Sequence, residues 1–246
     1  MKIKELIKLE IIKARSIRLS LILLLYFIIS TAYFYVYFHI MAIAKILKNK
    51  DFTDFFLNQN YTVAVLFFAI ITVIFIGADF NKNIYAKQFI SGISKNDFIV
   101  GKILFILGFA VFVVFAELIK FFLIQYILTK QIQIDLKIVF KIIFGFYMVL
   151  VLAGVYAFLS ITILKKTILS AVALYLIYKA EIMFEFYEKI HLGDIVSSLL
   201  PFHIILGVLG NIVYDSFHYI MLFFYFLISV FLIYFIINKN EIIINK

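Results

Sequence analysis

The chain has no cysteine, no tryptophan and a single proline, Pro201, in 246 residues. Without cysteine there can be no disulfide, no zinc–thiolate site and no thiol nucleophile. Charge is scarce as well: 15% of the residues are Asp, Glu, Lys or Arg, and 66% are hydrophobic. A soluble domain carries about 25% charge and about 45–50% apolar residues, so this chain has too little polar side chain to coat a water-facing globule.

Sequence motifs for catalysis are also missing. There is no G-x-x-x-x-G-K-[ST] phosphate loop, because Gly101-Lys102 has Asn96 where the first glycine would stand. There is no H-E-x-x-H and no G-x-S-x-G. His191, His203 and His218 share a segment with Asp194 and Asp215, but the histidines are twelve and fifteen residues apart, which is not the spacing of a compact metal site. The expectation is a chain with no catalytic residues, no metal and no cofactor of its own.

What remains is long apolar blocks, and a membrane span needs about 20 apolar residues. The blocks predict an all-α integral membrane protein with six transmembrane helices, at 19–44, 61–78, 103–128, 138–164, 167–187 and 219–237. The first is too long for the apolar core of a signal peptide and reads as a retained anchor. Ahead of it, 1–18 reads as a basic amphipathic helix. Ile3, Leu6, Ile7, Ile11, Ala14 and Ile17 fall on one face and Lys4, Lys8, Arg15 and Arg18 on the other, the pattern of a helix lying in the headgroup plane. Glu10 breaks the apolar face. Residues 79–102 form a long polar connection, Lys165 and Lys166 a tight one, and 188–218 a mixed outer segment.

Orientation follows from the basic residues. The N-terminal segment, 79–102, Lys165–Lys166 and the tail together hold fourteen Lys and Arg, against seven in the intervening segments. This bias puts both termini in the cytoplasm. It also accounts for most of the formal charge of +9 without invoking nucleic acid.

Ionisable groups at membrane depth are costly and face a bundle interior. Glu117 lies fifteen residues past Lys102, roughly 22 Å along a helix, with Lys120 one turn further. Lys179, Glu181 and Glu185 lie at similar depth in the fifth span. The geometry allows Glu117 to pair with Lys179, or Lys120 with Glu181 or Glu185. Elsewhere the spans offer few polar groups to replace the hydration of an ion or sugar. A translocated substrate would therefore be lipid-like, amphipathic or a hydrophobic peptide.

The connection 79–102 is the most specific passage. Asp79 leaves the second span, a short amphipathic helix follows, and Ser91-Gly92 makes a turn. Ser94 is placed to cap the next helix, with Asp97 at its third position. The order Asp79, Gly92-Ile93-Ser94-Lys95, Phe98 and Lys102 resembles the permease subunits of ABC-2 type ABC transporters. There an acidic residue after span two is followed by a coupling helix and a G-[IVY]-S-[RK]-x-x-[FIY]-x-x-x-K passage. Leu9-Glu10-x-x-Lys13 is similar to the family's interfacial elbow helix. Leu200-Pro201-Phe202 falls where the family has a re-entrant hairpin between spans five and six.

The resemblance implies a permease, identical or homologous to a second one, in a bacterial cytoplasmic (inner) membrane. It implies contact with two copies of an ABC ATPase subunit, which would bind the ATP and Mg. The contact would run through Asp79, Lys82, Asn83, Tyr85, Lys87, Gln88, Phe89, Ser91, Gly92, Ser94 and Lys95. The alternative is a non-transporting membrane scaffold or assembly factor that recruits a cytoplasmic partner through the same basic loop.

Overall fold

The computed structural model describes residues 3–16, 18–43, 52–81, 92–129, 139–191 and 216–239. Among them the regular structure is entirely helical. The helices are α1 (Ile3–Ser16), α2 (Leu19–Ile43), α3 (Phe52–Asn81), α4 (Lys95–Thr129), α5 (Tyr147–Leu164, preceded by a π-helical turn at Lys141–Phe146), α6 (Thr167–His191) and α7 (Ser216–Lys239). Among the described residues, four stretches are long and apolar enough to cross a bilayer: Val63–Phe80, Lys95–Ile127, Ile143–Leu164 and Tyr219–Lys239. The chain is a multi-pass membrane protein.

At 14 residues, α1 reaches about 21 Å, short of the ~30 Å hydrocarbon core, so it does not cross alone. It turns into α2 through a 62° bend, where Arg18 takes a left-handed backbone at φ 54°.

The apolar blocks set the helices well, and the structure shifts some of their ends. The polar stretch ahead of the second span is not all loop, because α3 begins at Phe52 rather than at 61. No glycine or proline interrupts 52–76, so the backbone keeps its helical hydrogen bonds past the apolar boundary. Likewise α6 runs to His191, four residues beyond the predicted end of the fifth span. The proposed coupling helix, the 192–215 part of the outer segment with Pro201, and the tail after Lys239 lie outside the described residues.

The bundle is organised around α5, which packs against α3, α4, α6 and α7. It is apolar on every side, as a central helix must be, and residues 149–155 are all buried. At Gly154 an added β-carbon would come within 2.6 Å of Ile106 and 2.9 Å of Phe68; only glycine lets the three helices approach so closely. Three buried hydroxyls are satisfied locally. Thr72 donates to the Phe68 carbonyl, Thr162 to the Phe158 carbonyl and Ser170 to the Lys166 carbonyl, as apolar surroundings demand.

Several contacts define one end of the bundle. Lys95 Nζ at the start of α4 donates to the Asn238 carbonyl at the end of α7, 3.2 Å away. Gly77 near the end of α3 lies against Thr167 at the start of α6. The α5–α6 connection is two residues, with Lys165 at φ 55° and its N–H bonded to the Ile161 carbonyl. The chain therefore leaves α3, starts α4, turns from α5 to α6 and ends α7 on the same face.

Candidate functional site

At that end four charges from three helices meet. Asp79, two residues before the end of α3, accepts from two lysines through one oxygen. Lys102, on the second turn of α4, places Nζ 2.7 Å from Asp79 Oδ2, and Lys13 of α1 bonds the same oxygen. Lys102 also donates to Glu10 Oε1 of α1 at 2.5 Å. The side chains of Lys102 and Asp79 are 0% and 1% exposed, those of Glu10 and Lys13 only partly so.

Two cations and two carboxylates leave no net charge. A buried ion has to be matched in this way, because desolvation costs several kcal/mol per uncompensated group. An aromatic floor adds to the match: Lys13 Nζ sits 4.4 Å from the Phe75 ring centroid and Lys102 Nζ 5.1 Å from that of Phe98. Phe75 in turn stacks on Phe105 at 3.6 Å. Burial, then the neighbouring Lys102 ammonium, lowers the pKa of Lys13 to about 8, against the pull of Asp79. Asp79 Oδ1 and Glu10 Oε2 have no hydrogen-bond partner among the described residues.

In the sequence Glu10, Lys13 and Asp79 stand apart, and Lys102 is only the last position of a motif. The structure joins them. The available signal was the off-pattern Glu10 on an apolar helix face, which needs a buried cation.

A second cluster lies farther along α4. Glu117 and Lys120 are both fully buried, with Nζ 2.7 Å from Oε2 and 2.8 Å from Oε1. Tyr26 of α2 donates to Glu117 Oε1 at 3.1 Å, and Lys120 donates to Ser30 at 3.2 Å. Among the described residues the ion pair is thus made within one helix turn and bound to α2. Lys179 is exposed and lies over the rings of Tyr175 and Tyr178 on its own helix. Glu181 lines an apolar cavity between α5 and α6 with Tyr156. Glu185 is carried by the same helix, α6.

Of the residues assigned to partner contact, Gly92 is exposed at φ 94°, the left-handed region that favours glycine. Ser94 caps α4 as expected, its Oγ accepting from the Asp97 N–H at 3.0 Å. Lys95 reaches the end of α7, as described above. Lys82, Asn83, Tyr85, Lys87, Gln88, Phe89 and Ser91 lie outside the described residues. No three His, Cys, Asp or Glu side chains converge among the described residues.

Comparison of the chain with protein-family models, with curated proteins and with solved structures returns no match. The functional conclusion therefore rests on residues and geometry.

Proposed function

We propose that the chain is the membrane-spanning permease subunit of an ABC-2 type transporter, driven by a separate ATPase. The observation that carries the proposal is the quartet of Glu10, Lys13, Asp79 and Lys102. Asp79 and Lys102 stand at the two ends of the segment that the resemblance assigns to the coupling helix. The lysines tie both ends to α1. A force applied to that loop by a cytoplasmic partner would reach α1, α3 and α4 together, because the connection is through buried ion pairs rather than flexible chain.

On this view the chain crosses the membrane six times, with the basic face of the bundle in the cytoplasm of a bacterium. Two permeases pair to form the pathway and two ATPase subunits dock below. The scarcity of polar side chains within the spans favours export of a hydrophobic or amphipathic molecule, such as an antimicrobial peptide or a lipid-like compound.

The test is purification in mild detergent from native membranes, with mass spectrometry of the associated proteins and an ATPase assay. An ABC ATPase should co-purify, with turnover that depends on this chain. Replacing Gln88 and Phe89 by Asp should abolish that association and leave membrane insertion intact. A preparation without an ATPase would overturn the proposal in favour of a scaffold.

A further inference from the structure

A groove of about 410 Å³ lies between the α1–α2 bend and α4. Its walls are apolar, with Ile11 and Leu23 facing Phe105 and Phe112 across it. Gly108 opens it further: the residue is exposed, and an added β-carbon would meet nothing within 4 Å. The rim is charged. Arg15 of α1 borders the groove and is exposed. Glu10 borders it too, with Oε1 held by Lys102.

An apolar slot with a cationic mouth, on a basic helix too short to span the bilayer, matches the two parts of a phospholipid. The acyl chain needs only apolar contact. The phosphodiester needs a cation, and a guanidinium binds phosphate through paired N–H groups. The quartet is neutral as a unit, so the rim takes its sign from Arg15, with the exposed Arg18 close by in the chain. A net negative headgroup is therefore favoured over a zwitterionic one.

We propose that this groove binds one phosphatidylglycerol-type lipid. One acyl chain lies along Gly108 and the anionic phosphate rests on Arg15. The bound lipid then borders the Glu10–Lys102 ion pair and links the surrounding leaflet to the quartet.

The purified full chain is to be exposed to phosphatidylglycerol, phosphatidylcholine or phosphatidylethanolamine, and retained lipid read by native mass spectrometry. Phosphatidylglycerol should be retained at least about fivefold over the other two, the worth of one surface charge. Arg15→Gln should remove the preference, and Gly108→Leu should lower retention of all three. Equal retention by the wild type, a preference for phosphatidylethanolamine, or unchanged retention in both variants would overturn the proposal.

Gly108→Cys gives a second readout, since the chain has no other cysteine. Its reaction with a membrane-soluble maleimide should slow in phosphatidylglycerol relative to phosphatidylcholine. A disulfide between two copies at this position would overturn the proposal, because a second chain would then fill the groove. So would labelling at equal rates in both lipids.

Discussion

Lys102 Nζ lies 2.7 Å from Asp79 Oδ2, with both side chains buried. The contact closes the α3–α4 connection at its base. Neither residue is satisfied by the other alone, since Asp79 also holds Lys13 and Lys102 also holds Glu10.

Asp79→Asn leaves buried Lys102 and half-buried Lys13 with one carboxylate between them. It should destabilise the protein by about 3–5 kcal/mol, the usual cost of breaking a buried pair. Asp79→Asn with Lys102→Met should cost less than the sum of the two single changes. Thermal unfolding in detergent checks both, and additive effects would mean that the two charges do not act together.

Glu117 should couple to Lys120 and not to Lys179. In a double-mutant cycle, Glu117→Gln with Lys120→Met should be non-additive. Glu117→Gln with Lys179→Met should add to within about 0.5 kcal/mol. Tyr26→Phe, which removes one hydrogen bond to the carboxylate, should cost about 0.5–2 kcal/mol.

Lys13 links stability to pH. Its pKa in the folded chain is about 8, below the ordinary 10.5. Between those values the unfolded chain binds more protons, so this contribution to stability rises with pH across the window and is flat below it. Relative to Lys13→Met, the wild type should gain melting temperature from about pH 8 to 10.5. A gap that is constant or shrinks would show that Lys13 keeps an ordinary pKa.

Lys165 occupies a left-handed backbone at φ 55° between α5 and α6. That conformation costs a non-glycine residue about 1–2 kcal/mol. Glycine avoids the cost and gives back part of it through a freer unfolded chain. Lys165→Gly should therefore stabilise by roughly 0.5–1 kcal/mol on the same melts. A loss of stability would mean that the lysine contributes more through its charge at the helix end than it costs in strain.

The helices were legible because hydrocarbon imposes a length and a composition that a single sequence displays. The Ser94 cap and the tight Lys165–Lys166 turn were legible because they depend on neighbours within four residues. The early start of α3 is not legible, because polarity ordinarily marks the end of an apolar helix. Backbone hydrogen bonding continued to Phe52 instead, with no breaker to stop it.

The charged partners were not legible. Lys13 and Asp79 are 66 positions apart, and Lys102 and Glu10 are 92. Depth along a helix can be counted from the sequence, but the face a side chain presents to another helix cannot. That is why Lys179 was a plausible partner for Glu117 until α6 proved to turn it outward. Composition and the length of the apolar blocks suffice to make this chain helical and membrane-bound, with its basic residues unevenly placed. Only the packing of α1 against α3 and α4 decided that Glu10, Lys13, Asp79 and Lys102 are one site. A buried charge is tolerated only where distant helices bring its counter-charge within hydrogen-bonding reach.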